Sequence, residues 1–394
     1  MKTIYVDNAA TTRLSDVAYE AMKPMMQEIY GNPSSLHHIG QIAKEHLDDA
    51  RARVAKCINA NPNEIYFTSG GSEADNQAIL TAAYNGAKRG KKHIISSKFE
   101  HHAVLHTLDK LKKEGFEIQL LDVYNNGIVK VDDVKKAIRE DTALVTIMTA
   151  NNEVGTVQPI KEIGKICKEN NVVFHTDAVQ AIGHIPVDVK DLGVDMLSVS
   201  GHKFHGPKGV GFLYCRKGII LQNLINGGAQ ERGKRAGTEN MASIVGMAAA
   251  LEDACANLDK NAKYVSKIRD KIIDGVSDIE MCKLNGDLEH RLPGTINFSF
   301  EGIEGEGLLL LLDQDGICAS SGSACTSGSL DPSHVLLSMG VPVESAHGSL
   351  RLSLCEYNTE QEADVIINSI HKVVKYLRSI SPVWEKIQNG EVVE

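Results

Sequence analysis

Between residues 60 and 215 short apolar runs alternate with stretches of helical periodicity. The runs Glu64 to Thr68, His93 to Ser96, Ile118 to Leu121, Ala143 to Met148, Val172 to Thr176 and Met196 to Val199 read as strands. Helices are expected from Ser72 to about Arg89, through Val104 to Lys113 and through Ile160 to Lys168. This alternation predicts an α/β fold whose mostly parallel sheet is covered by helices on both faces, with ligands bound beyond the carboxyl ends of the strands. After Thr238 one long helix, Met241 to about Ile279, is expected to lead into a second unit. That unit holds the runs Thr295 to Phe300, Leu308 to Leu312, Ile317 to Ala319 and Leu350 to Leu354, and a helix through Glu360 to Ile380. Mixed short strands and helices predict a smaller α+β domain, joined by the N-terminal segment.

Composition narrows the class. The chain has 394 residues, 42% hydrophobic and 24% charged, an ordinary soluble globular balance. Its net charge of -9 argues against a general affinity for nucleic acid or anionic membranes. No stretch approaches the roughly 20 apolar residues of a spanning helix, and Met1 to Asp7 lacks a signal peptide's apolar region, so the expected location is the cytoplasm. The eight cysteines are scattered without a Cys-x-x-Cys pair, which argues against a zinc or disulfide framework.

Chemistry concentrates where apolar runs give way to loops. Lys203 follows the run Leu197 to Val199 and precedes the glycine-rich turn Gly206-Pro207-Lys208-Gly209 and a second apolar run, Val210 to Tyr214. A lysine in such a tight connection is placed, and a desolvated amine is a nucleophile toward a carbonyl, as in pyridoxal phosphate chemistry. Asp177 ends a strand run and Gln180 follows it; a carboxylate there can keep a pyridine nitrogen protonated, and the glutamine can reach the ring's phenolic oxygen. Alone, the pair fits a helix N-cap beside a surface glutamine better than a cofactor site. Gly70-Gly71-Ser72 opens a helix after a strand, a place suited to a phosphate or simply to a capping serine. His101 and His102 follow another strand, where an imidazole can stack on a planar ring and exchange protons. The pairs His37-His38 and His101-His102 and the spacing His202-x-x-His205 lack a third ligand at standard spacing, so no metal is expected. Cys325 lies in Ala319-Ser320-Ser321-Gly322-Ser323-Ala324-Cys325-Thr326-Ser327-Gly328-Ser329, the composition of an exposed mobile loop in which a thiol is either incidental or carries a product.

Taken in order, YVDNAATT at the start, GNPSSLH from Gly31, FTSGGSEADN from Phe67, EHHAVL from Glu100, NNEVGTVQP from Asn151, HTDAVQ, SVSGHKFHGPKGVG, GGAQERGKRAGTEN, SSGSACTSG and LRLSL span nearly the whole chain. Together they resemble the cysteine desulfurases of the NifS/IscS type, class V enzymes of the fold-type I pyridoxal phosphate group. The resemblance implies a large domain at 15–255 with a seven-stranded sheet, and a small α+β domain at 1–14 and 256–394 carrying the cysteine loop. It implies pyridoxal 5'-phosphate held by Lys203 as the Schiff-base lysine, Asp177 at the pyridine nitrogen, Gln180 and Asn152 on the ring-oxygen side and His101 stacked on the ring. Gly71, Ser72, Ser200 and His202 would hold the phosphate, joined by Thr238 from the second subunit of a homodimer. Arg351 and Asn32 would grip the carboxylate of L-cysteine, and Cys325 would accept its sulfur as a persulfide for an iron-sulfur scaffold or another acceptor protein. The alternatives are a selenocysteine lyase, an aminotransferase of the same fold or a non-catalytic sulfur carrier. Cys355-Glu356-Tyr357-Asn358, just after Arg351, departs from the basic-aromatic run usual in the group.

Overall fold

The computed structural model describes residues 3–321 and 332–390. Its strands, in chain order, are Ile4–Tyr5 (β1), Ile65–Thr68 (β2), His93–Ser97 (β3), Glu117–Leu121 (β4), Thr142–Thr146 (β5), Val173–Asp177 (β6), Met196–Ser200 (β7), Gly211–Cys215 (β8), Cys282–Leu284 (β9), Thr295–Phe300 (β10), Ile317–Cys318 (β11) and Ser349–Ser353 (β12). Seven of them form one sheet in the order β2-β8-β7-β6-β5-β3-β4. Its ladders are parallel except those β8 makes with β2 and β7. Every residue of β3, β5, β7 and β8 is buried, as expected of strands covered on both faces. The helix Gly71–Ala87 covers one face with a small-residue stripe, Ala74, Ala78, Ala82 and Ala83, which lets it approach closely; a Cβ on Gly86 would lie only 2.5 Å from that of Ala143.

A second core gathers Phe298, Phe300, Leu350, Leu352, Ile366 and Ile370 behind the sheet β12-β10-β9 and the helix Glu360–Ser379. Ile4 and Val6 are buried in the same cluster, where β1 pairs with β11. The run Leu308 to Leu312 is part of the helix Gly305–Gln314; a five-residue apolar run has too little period to distinguish helix from strand.

The single long helix expected from Met241 to Ile279 is two helices, Met241–Ala256 and Leu258–Val276, bent by 73°. The break is Asn257, whose Nδ2 donates to Asp253 O at 3.0 Å and Oδ1 at 3.1 Å, a local bond that competes with helix continuation. The first helix is buried almost all round from Met241 to Leu251, whereas the second buries only one stripe, Val265, Ile268, Ile272 and Val276. Among the described residues no single helix is long and apolar enough to cross a membrane.

The edge strand β2 is anchored by a buried ion pair. Arg51, on the helix His38–Cys57, donates to both Glu231 carboxylate oxygens at 2.7 Å and to Ile65 O at 2.9 Å, and Glu231 also accepts from Phe67 N. Removing one member leaves the other charge buried and unpaired. Glu231→Ala is therefore expected to lower unfolding free energy by about 3–5 kcal/mol, read as a fall in the urea midpoint without a change in slope.

Candidate active site

The neighbouring parallel strands β6 and β7 end beside each other, with Asp177 in register with Ser198. Beyond β7 the chain makes the tight turn Gly201–Lys203. Lys203 Nζ donates to Ala9 O at 2.6 Å and to Ala10 O at 2.8 Å. Gln180 Nε2 donates to the same Ala9 carbonyl at 3.0 Å. Thr12 Oγ1 donates to His202 O at 2.9 Å, so the segment after β1 is stitched to the lysine turn along its length.

Next to this turn lies a cavity of about 440 Å³, lined among others by Thr11, Gly70, Gly71, Ser72, Ser200 and His202. It opens at the start of the helix Gly71–Ala87, where the positive end of the helix suits an anionic group such as a phosphate. Close backbone packing shapes it. A side chain on Gly71 would come within 2.7 Å of Val179 Cγ2, and one on Gly211 within 2.8 Å of Gly70 Cα. His202 Nδ1 lies 3.1 Å from Thr11 Oγ1, and burial, with Lys203 and Lys208 adding to it, pulls its pKa down to about 4. His202 therefore enters the cavity as a neutral imidazole.

Behind the cavity is a buried polar group that determines the charge on Asp177. Burial pushes Asp177 up to about 6, while its bond from Val179 N at 2.9 Å and the nearby Lys203 hold it down. Asp75, on the covering helix, is pushed well above the carboxylate range by burial and by the charge of Asp177, and its Oδ1 has no hydrogen-bond partner. His175 stays neutral, pulled by burial down to about 3; its ring nitrogens lie 2.8 Å from Thr146 Oγ1 and 2.9 Å from Ser198 Oγ. Two facing carboxyl groups without solvent cannot both ionise cheaply, so Asp75 keeps its proton and Asp177, nearer Lys203, carries the charge.

His101 caps the helix His102–Lys113, its Nδ1 accepting from Ala103 N at 3.1 Å. That bond leaves the ring hydrogen on Nε2. Burial, then Lys203, then His102 and His106 bring its pKa down to about 4. Arg351 is buried on β12, with Nη2 2.8 Å from Asp7 Oδ1, Nη1 3.1 Å from Asn152 O, and Nε without a partner. A buried guanidinium with an unsatisfied N–H is prepared for a further acceptor, such as a ligand carboxylate.

Lys203, Asp177, Gln180, His101, Ser72, Gly71, Ser200, His202, Asn152 and Arg351 thus sit at the strand ends or against the segment docked on them. Asn32 is exposed in the turn before the helix His38–Cys57, its Oδ1 accepting from Ser34 N at 2.9 Å. Thr238 is exposed too, lining an adjoining depression that shares Ser69 and Gly209 with the cavity. Cys325 lies outside the described residues. Asp7, Asp75 and Glu100 were not singled out from sequence. Asp75 carried a readable signal, an acid on the helix face of Gly71, Ala78, Ile79 and Ala82. Asp7 had none, because its partner Arg351 is remote in sequence.

The chain matches the family model of the class-V aminotransferases over residues 4–366. It is 54% identical over 387 residues to a protein of Clostridium botulinum named cysteine desulfurase IscS, covering 98% of this chain and 97% of that one. A protein of the same name from Methanosarcina thermophila is 52% identical over 98% of this chain and 95% of its own length. Among solved structures, a NifS-like protein superposes with a TM-score of 0.90 at 43% identity, covering 95% of this chain and all 100% of that one. SspA in complex with cysteine superposes with a TM-score of 0.80 at 35% identity, over 91% of this chain and 100% of that one.

Glu100 gives the site a pH signature. It is fully buried and pushed by burial up to about 8, against the bonds from Ser97 Oγ at 2.7 Å and Met148 N at 3.0 Å. Its folded pKa exceeds the unfolded one, so the stability it contributes is complete below the unfolded value near 4.5 and is lost as pH rises through about 8. Glu100→Gln should therefore flatten the fall of melting temperature between pH 5 and 8.5, the variant gaining on the parent toward the alkaline end; equal shifts at both ends would contradict this assignment.

Proposed function

The chain belongs to the class-V aminotransferase family, and we propose that it works as a cysteine desulfurase with pyridoxal 5'-phosphate at this cavity, taking sulfur from L-cysteine and leaving L-alanine. The observation that carries this reading is that Lys203 acts electrostatically on both Asp177 and His101 at the sheet's carboxyl edge and shares the segment Asp7 to Ala10 with Arg351, beside a cavity lined by Gly71, Ser72, Ser200 and His202.

The residues fit the cofactor. The close-packed glycines at the helix start leave a polar cradle for a phosphate, held by Gly71, Ser72, Ser200 and His202. Asp177, the charged member of its pair, takes the pyridine nitrogen, Gln180 and Asn152 the ring-oxygen side, and His101 the ring face. Pyridoxal phosphate supplies an aldehyde for an amine and a ring that accepts the electrons released at the substrate's α-carbon.

Lys203 is the amine that holds the cofactor and then removes the α-proton; the carbonyls of Ala9 and Ala10 orient its Nζ. Arg351 binds the carboxylate of L-cysteine through its fork, with Asp7 and Asn152 O fixing the guanidinium plane and Asn32 adding a contact. His101, neutral near pH 7 with its hydrogen on Nε2, handles protons at the sulfur. Cys325 as thiolate attacks the substrate sulfur. The S–S bond forms, the C–S bond breaks with its electron pair going to the β-carbon, that carbon takes a proton, and the α-carbon takes back the proton that Lys203 removed, which gives alanine. The persulfide then passes to an acceptor protein, with an iron-sulfur scaffold the first candidate, in keeping with the IscS name of the relatives.

The protein acts in the cytoplasm as a homodimer in which Thr238 reaches the partner's phosphate site. The described cysteines are all free thiols, in keeping with a reducing compartment. The division into a large domain at 15–255 and a small one at 1–14 and 256–394 is supported by the cluster that joins Ile4 and Val6 to Phe298 and Leu350, while Leu292, Val335, Leu336, Met339, Val341 and Ala346 pack into the core of the large domain.

Cys325→Ala is expected to keep the visible absorbance of bound pyridoxal phosphate and to lose alanine formation from L-cysteine by at least about 1,000-fold. Full alanine formation would sink the persulfide route through Cys325, amino transfer without alanine in the parent would favour an aminotransferase, and a large preference for selenocysteine in parallel assays would favour a lyase. Arg351→Lys should raise KM for L-cysteine about 10- to 100-fold with a smaller effect on kcat, because a point charge replaces a fork.

A further inference from the structure

His205 stands two residues after Lys203 and belongs to no part of the site described above. It is a non-glycine residue at φ 64°, a left-handed conformation that is costly outside glycine. Its backbone is pinned there. His205 N donates to Thr12 Oγ1 at 2.9 Å, and His205 O accepts from Ser15 N at 2.9 Å. The ring is pinned as well, since Nδ1 lies 2.9 Å from Arg13 O, an acceptor only, so Nδ1 carries a hydrogen. Nε2 then points away from that carbonyl, buried and without a hydrogen-bond partner.

What Nε2 faces is Cys355 and Glu356. One ligand atom from each of His205, Cys355 and Glu356 lies within 4.8 Å of the other two. Glu356 Oε2 is 3.4 Å from Nε2, an ion-pair distance, and although burial opposes it, Cys355 and Glu356 push the His205 pKa up to about 10, so without a metal the ring carries a second hydrogen on Nε2. His205 and Cys355 are buried, at 6% and 7% accessibility, and the three side chains line a cavity of about 30 Å³, the share of one water molecule in the liquid. His184 lines the same cavity, and its Nδ1 is also buried without a partner. An imidazole whose second nitrogen is fixed on a backbone carbonyl, a thiol and a carboxylate are the donor set of a tetrahedral zinc site with one position left over. The charges close too: a thiolate and a carboxylate balance a divalent cation, which makes the buried group neutral.

We propose that His205, Cys355 and Glu356 form a zinc site, its fourth position open to water, that clamps the lysine turn to the segment following β12. Binding replaces protons: Cys355 Sγ–H, and any hydrogen on His205 Nε2, leave to solvent as the S–Zn and N–Zn bonds form. His205 follows the turn that carries Lys203, and Cys355 follows the strand that carries Arg351, so one ion joins the two elements that present the amine and the guanidinium. Spacing along the chain could not disclose this site, because the histidine and its partners meet only in the folded protein.

The test uses the full-length, pyridoxal phosphate-loaded protein with Cys325→Ser, which removes the other candidate thiol, and zinc ion alone as the probe. Equilibrium dialysis is expected to give one zinc per chain, and X-ray absorption one sulfur neighbour at about 2.3 Å with nitrogen and oxygen at about 2.0–2.2 Å. Adding Cys355→Ala should weaken zinc binding at least about 100-fold and abolish the rise in melting temperature that zinc produces in the parent, with cofactor absorbance retained. Glu356→Gln, a milder change, should weaken binding at least about 10-fold and serves if the cysteine variant fails to fold. A bound zinc without a sulfur neighbour, binding unchanged in both variants, or no binding to the parent would overturn the proposal.

Discussion

A lysine ammonium resting on two backbone carbonyls is the contact from which the rest of the site is organised. Lys203 Nζ on Ala9 O and Ala10 O brings a segment near the start of the chain across the carboxyl edge of the seven-stranded sheet. The carbonyl dipoles hold the amine without neutralising it, so its charge still acts on its neighbours. That charge helps keep Asp177 ionised and His101 and His202 neutral. One half-buried cation thereby reinforces what burial does at His101 and His202 and opposes it at Asp177, leaving each group in the state that its proposed task needs.

Burial does the complementary work. Asp75 and Asp177 share a pocket with a neutral His175, and the cost of two charges there leaves a proton on the deeper acid. The covering helix Gly71–Ala87 thus has two functions along its length. Its first turn offers a polar cradle, and the acid one turn further in fixes the charge of the strand-end carboxylate. Both depend on a stripe of small residues that brings the helix down onto the sheet.

Much of this could be read from sequence because it sits at strand ends. Lys203, Asp177, His101 and Ser72 each follow an apolar run, and in a parallel sheet those ends share one edge, so alternation alone predicts that they meet. The bend at Asn257 escaped because apolar periodicity runs through it, whereas the side-chain bond that breaks the helix is local chemistry that periodicity does not register. Pairs across long separations escaped for another reason. Arg351 with Asp7 and His205 with Cys355 and Glu356 join residues whose proximity is a product of the finished fold, and neither member has a pattern around it that names the other.

The threading of the first residues has a bearing on the order in which the protein is made. Ile4 and Tyr5 pair with Ile317 and Cys318, Asp7 bridges Ser353, and the carbonyls that hold Lys203 come directly afterwards. Ile4, Tyr5 and Asp7 are therefore without these partners until Ile317, Cys318 and Ser353 have been made and folded. The sheet can close around β7 well before then. A folded sheet can thus present Lys203 before the carbonyls of Ala9 and Ala10 are fixed over it, so the amine is held only once β11 and β12 are in place.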